Sequence, residues 1–83
     1  MKTDRLRTIN TPRRVEVELG VAGLPVMVER RAVESVGEIW RIDDEWWREH
    51  PIARMYYALI LDDGTLLTVY HDLASDTWFE QRS

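Results

Sequence analysis

The run Arg54–Leu61 is apolar on both faces of a period-two reading. Met55, Tyr57, Leu59 and Leu61 fall on one face, and Tyr56, Ala58 and Ile60 on the other. A strand of this kind is expected at the centre of a sheet or under cover on both sides. Asp63-Gly64 follows directly and is a strong tight-turn signal. It leads into Leu66–His71, where Leu66, Thr68 and Tyr70 oppose Leu67 and Val69. An antiparallel hairpin is therefore the fixed centre, and the rest of the chain has to wrap it.

The flanking segments supply more strands. Val15, Val17 and Leu19 alternate with Glu16 and Glu18, as in a strand with one wet face. Gly20 to Pro25 reads as a turn, and Pro25 opens a second strand with Val26 and Val28 on one face. Arg30 to Ile42 reads as a third strand region whose apolar phase slips near Gly37, predicting a β-bulge or bend there. Asp43 to Pro51 interrupts the strand pattern. Asp43 or Asp44 is placed to N-cap one short helical turn near 44–48, and Pro51 ends it. Asp72 to Asp76 is a further turn, and Thr77 to Gln81 a closing strand with Trp78 and Phe79 on opposite faces. The expected fold is all-β: an antiparallel meander of five to six short strands curling into a small, SH3-like, partly open barrel.

Eighty-three residues make one domain near the lower limit for a sufficient core. With no cysteine, the chain has no disulfide, thiolate metal site or cysteine nucleophile, which suits a reducing cytoplasm. It has no run of eighteen apolar residues and no hydrophobic leader, so neither a membrane-spanning helix nor a secretory signal is expected. The net charge of −4 is unevenly spread. Residues 1–14 hold five basic side chains against one acidic, and the remainder six against fourteen. Residues 1–12 read as a flexible basic arm and 13–83 as the single domain. An acidic body is not the footprint of a general nucleic-acid binder.

No catalytic constellation can be assembled. His50 and His71 are the only histidines, and a contact of His71 with Asp72 is the one pairing that sequence adjacency offers. There is no nucleophile elbow, P-loop or zinc-protease motif. Asp43-Asp44-Glu45 lacks the spaced ligands and glycine of a Ca²⁺ loop, so no metal and no cofactor is expected. The chain reads as a binding domain and not as an enzyme.

Aromatic residues carry the positive signal. Trp40, Trp46, Trp47, Tyr56, Tyr57 and Trp78 fall within forty residues. Half of them suffice for a core, and neighbours on a strand face opposite ways. At least one of Trp46 and Trp47, and one of Tyr56 and Tyr57, is therefore expected to be partly exposed. Exposed Trp and Tyr beside Arg41, Arg48 and Arg54 match the composition of protein-interaction hot spots. An alternative is a single-stranded nucleic-acid module that stacks bases on Trp47 or Tyr56 and contacts phosphates through Arg13, Arg14 and Arg41. A structural or homodimerising domain joined through an unpaired sheet edge is a further alternative.

The run Trp40-Arg41-Ile42-Asp43-Asp44-Glu45-Trp46-Trp47-Arg48, followed by Pro51-Ile52-Ala53-Arg54 and Tyr56-Tyr57, resembles a known module. So do Val69-Tyr70-His71-Asp72 and Thr77-Trp78-Phe79. The sequence is similar, over about residues 13–82, to the small C-terminal domain of bacterial ImuB-type proteins, which are inactive Y-family DNA-polymerase homologues of the translesion mutasome. Asp76 departs from that pattern, since relatives often have glycine in the final turn. The resemblance implies a non-catalytic protein-interaction module of DNA-repair and translesion-synthesis complexes, here as a stand-alone chain. Its partner-binding residues would be Trp40, Arg41, Trp46, Trp47, Arg48, Tyr56 and Tyr57, and the family has no catalytic residue to carry over.

Overall fold

The structure is a computed structural model that describes residues 12–44, 47, 49 and 52–81. Among these residues seven strands follow in order: β1 (Arg13–Arg14), β2 (Val17–Leu19), β3 (Pro25–Val28), β4 (Arg31–Asp44), β5 (Ile52–Leu61), β6 (Leu66–Asp72) and β7 (Thr77–Glu80). They form one antiparallel sheet in the order β1-β7-β6-β5-β4-β3-β2. The chain is thus an all-β meander curled into a half-barrel, as its periodicity predicts. No helix among the described residues is long and apolar enough to cross a membrane. The proposed arm at residues 1–12 lies, except for Pro12, outside the described residues.

The strand count exceeds the expected five to six because the first predicted strand is two. Arg13 and Arg14 pair with Phe79 and Glu80 of β7, whereas Val17–Leu19 pair with β3. Between them the Val15 N–H donates to the Trp78 carbonyl (3.1 Å), and the Glu16 carbonyl accepts from the Glu29 N–H (2.9 Å). One short stretch of chain therefore joins both ends of the sheet, and that junction curls it.

The turns follow local chemistry. Between β5 and β6, Gly64 takes φ +86° and donates to the Leu61 carbonyl, while the Asp63 carboxylate accepts from the Thr65 N–H. This is a three-residue hairpin loop with its glycine in the left-handed position. The β3–β4 connection carries no such signal. Glu29 and Arg30 form a two-residue turn with φ of 50° and 71°, closed by the Val28–Arg31 pair. Both values are left-handed, as a type I′ turn requires. The register of β4 against β5 shifts between Val36 and Ile39, bracketing Gly37 where the apolar phase predicts a bulge.

Side chains of Met55, Tyr57, Leu59, Leu67, Val69 and Trp78 point to the inner face of the curl, where Val15 and Val28 close over them. Leu59, Leu61, Val28 and Val69 are fully buried. Burying each such side chain contributes about 1.5–3 kcal/mol. The core fades towards the β2–β3 loop, so that Leu19 and Val26, in phase with buried neighbours, are exposed.

Two expectations about the Asp43–Pro51 segment meet the structure differently. Asp43 and Asp44 continue β4, opposite Ala53 and Ile52, so the strand runs two residues past the expected end at Ile42. The pairing that β5 offers carries the strand this far. Of the proposed turn at 44–48, residues 45, 46 and 48 lie outside the described residues.

Candidate functional site

The register places four aromatic rings side by side on the outer face of the sheet. Trp40 is opposite Tyr56, Tyr56 opposite Tyr70, and Tyr70 opposite Phe79. Successive centroids lie 5.3, 5.0 and 5.2 Å apart, with planes inclined by 10°, 36° and 24°. Cross-strand aromatic pairs of this geometry stabilise a sheet by packing beyond their buried area. Arg54, two residues before Tyr56 on the same face, lays its guanidinium over Tyr70 at 4.7 Å and donates to the Tyr56 hydroxyl at 3.4 Å. Burial pushes the Tyr70 phenol above its ordinary value, while Arg54 pulls the other way.

The ladder changes the reading of the tyrosine pair. Tyr56 and Tyr57 do face opposite ways, yet both are buried, at 8% and 9% exposure. Tyr57 lies in the inner core against Trp78, with centroids 5.3 Å apart. Tyr56 is enclosed between Trp40 and Tyr70 on the outer face. Neither tyrosine meets the expectation of an exposed contact residue, because neighbouring rings and Arg54 cover the outer face as a second layer would. With both of its ring faces occupied, Tyr56 offers no surface on which a base could stack.

Both exposed tryptophans among the described residues lie on β4 and the loop after it. Trp40, at 38%, caps the open end of the ladder, and Trp47 is 67% exposed in the β4–β5 connection. Ile39 and Ile42 are also exposed on β4. Arg41 makes a bidentate contact with Asp43 two residues along, donating from Nε to Oδ2 at 2.7 Å and from Nη2 to Oδ1 at 3.1 Å. These bonds hold the Asp43 carboxyl below the usual carboxylate range. Trp46 and Arg48 lie outside the described residues.

The exposure of β4 has a topological cause. Its first residues, Arg31 and Ala32, pair with β3, and among the described residues no strand pairs with the remainder on that side. The direction of its free backbone groups follows from β5. The Leu73 N–H donates to the Ala53 carbonyl at 2.9 Å, so the Ala53 backbone faces β6. By alternation Ile52, Arg54 and Tyr56 face β4, meeting Asp44, Ile42 and Trp40. Ile39, Arg41 and Asp43 consequently turn their N–H and C=O groups towards the open edge.

The arginines of the nucleic-acid alternative do not converge. Arg13 contacts Glu29 and Glu80 at 3.7 and 3.5 Å, and Arg41 is held by Asp43. Arg14 lies beside Arg13 on the opposite face, and three strands separate both from Arg41. His71 meets Asp76 and not Asp72: its Nε2 is 2.6 Å from Asp76 Oδ1, and its ring stacks on Trp78 with centroids 4.5 Å apart. The Asp72 carboxylate instead accepts from the N–H groups of Ala74 and Ser75, shaping the turn.

Of the seven residues expected at a partner surface, Trp40 and Arg41 are exposed on opposite faces of β4 and Trp47 is exposed in the loop after it, while Tyr56 backs Trp40 and Tyr57 lies in the inner core. Sequence reasoning did not single out Ile39 and Ile42 as surface residues or Asp43 as the partner of Arg41. The alternation of Ile39 to Asp43 could have shown them once β4 was known to be an edge. Compared with family models, with curated proteins and with solved structures, the chain matches none.

Proposed function

We propose that the chain is a non-catalytic protein-interaction module of bacterial DNA-repair and translesion-synthesis assemblies, with the β4–β5 hairpin end as its contact surface. The observation that carries this reading is the cluster of exposed large side chains there. Trp40 and Trp47 stand beside the unpaired stretch of β4, each of a residue type enriched at binding hot spots. The stretch that resembles ImuB-type C-terminal domains runs along this same edge and into the loop. Tyr56 stiffens Trp40 from behind, which lowers the ordering cost of a contact made through that ring. The resemblance supplies the class of partner: the replication clamp and an error-prone polymerase.

The direct test is binding of the purified chain to the clamp and to the error-prone polymerase of a mutasome-bearing bacterium, measured by interferometry or calorimetry. Binding to either one, weakened at least tenfold by Trp47→Ala, is the expected result. No binding to either protein, at concentrations where the chain remains folded, overturns the assignment to these complexes.

A further inference from the structure

We propose that β4 pairs with β4 of a second copy of the chain, antiparallel about a two-fold axis at Ile42, joining two half-barrels into one continuous sheet. The open edge presents the backbone groups of Ile39, Arg41 and Asp43, and such an edge is a template for another strand. The side chains identify that strand. On the inner face the edge reads Arg41 then Asp43, one positive and one negative charge two residues apart. Run antiparallel against itself, this order is self-complementary: Arg41 comes opposite Asp43 of the second copy, and Asp43 opposite its Arg41. The intrachain bidentate contact becomes a square of four alternating charges.

On the outer face this register brings the two Ile42 side chains together and sets Trp40 opposite Asp44 of the second copy. Ile42 meets Ile42 of the second copy in the closer, non-hydrogen-bonded type of pair, about 4.5 Å between Cα atoms. Trp40 then reaches Ile42 of the second copy diagonally, so the exposed isoleucines and the outer edge of the indole cover one another. Neighbouring registers are poorer. An axis at Arg41 sets the two guanidinium groups directly opposite each other. An axis at Trp40 sets Arg41 against Ile39 and leaves Asp43 facing Gly37. Like charges directly opposite destabilise a pair of strands, and opposite charges stabilise it. The interface is isologous, as expected of a two-fold homodimer.

This pairing needs no other protein, so oligomeric state tests it independently of clamp or polymerase binding. Sedimentation equilibrium of the full chain is expected to show a concentration-dependent monomer–dimer equilibrium. Arg41→Asp and Asp43→Arg sit on exposed positions, and each alone is expected to give a monomer. Mixing the two variants should restore dimers, because every cross-strand pair is then again of opposite charge. The register is read with cysteines, since the chain has none of its own. Ile42→Cys should oxidise to a covalent dimer under mild conditions, and Trp40→Cys should not. A native chain that stays monomeric from micromolar to millimolar concentration overturns the proposal, and cross-linking through position 40 in preference to 42 overturns the register.

Discussion

Trp40 lies nearly parallel to Tyr56, its ring centroid 5.3 Å away and its plane turned by 10°. The two rings differ in burial, since Tyr56 is enclosed and Trp40 remains open on its far side. Truncation should therefore have unequal effects. Tyr56→Ala is expected to destabilise the fold by about 3 kcal/mol, in the range for deleting a buried aromatic ring. Trp40→Ala should cost about 1 kcal/mol, and the double variant less than the sum by about 0.5–1 kcal/mol. Urea unfolding followed by far-UV circular dichroism measures all three.

Arg30 adopts φ +71° in the two-residue turn between β3 and β4. A left-handed backbone costs a non-glycine residue about 1–2 kcal/mol, and glycine loses part of that gain through its freer unfolded state. Arg30→Gly should thus raise stability by about 0.5–1 kcal/mol, seen as a higher urea midpoint with an unchanged slope. Glu29 shares the left-handed geometry but accepts a hydrogen bond from the Glu16 N–H at 2.7 Å. Glu29→Gly should therefore gain less than Arg30→Gly.

Asp76 combines a left-handed φ of 56° with a carboxylate held against His71. The two effects oppose one another on substitution by glycine, which relieves the backbone and removes the contact. Asp76→Gly is expected within about 0.5 kcal/mol of the native stability, whereas Asp76→Ala, which keeps the strain and loses the contact, should be worse by about 1 kcal/mol. If alanine and glycine prove equivalent in thermal melts, the backbone account of this turn fails.

Tyr70 gives an alkaline limit to stability. Its folded-state phenol titrates above the ordinary value because it is buried, although Arg54 opposes the rise. The proton is therefore held more tightly folded than unfolded, and the unfolded phenol ionises near pH 10. The resulting contribution is full below that pH and is lost as pH rises through the higher folded value. Urea midpoints should be level from pH 7 to about pH 9.5 and then fall. Tyr70→Phe should flatten part of that fall.

Fold class was legible because the signals were local. The two-sided apolar run of β5, the Asp63-Gly64 turn and the alternation in β6 each named its own structure, and the slip at Gly37 marked a real register shift. The Glu29-Arg30 turn was hidden because neither residue belongs to the usual left-handed set, so the second and third strands were told apart with no turn identified between them. The aspartates at 43 and 44 hid the end of β4 because their local preference is for turns and caps, whereas the pairing with β5 that extends the strand comes from eight to ten residues further on. The burial of both tyrosines was illegible for a related reason. Alternation shows which way a ring points, and only register shows that Tyr70 and Trp40 stand on either side of Tyr56. The contact of His71 with Asp76 depends on the shape of the intervening turn, which adjacency in sequence does not give.

The stretch that joins the two ends of the sheet also sets the order in which the molecule can assemble. The hairpin of β5 and β6 closes a loop of three residues, whereas Arg13 has to find Glu80 at the far end of the domain. Contacts that distant in sequence form only after nearer ones have shortened the path between them. The β1 end of the strap, Arg13 to Val15, is therefore the last part to dock and the first to peel away, whereas β2 closes on β3 through a short local hairpin. When the β1 end lifts, Val15 leaves the core and the outer edge of β7 opens. Amide hydrogen exchange should see this partial opening as faster exchange along β1 than in the β5–β6 hairpin.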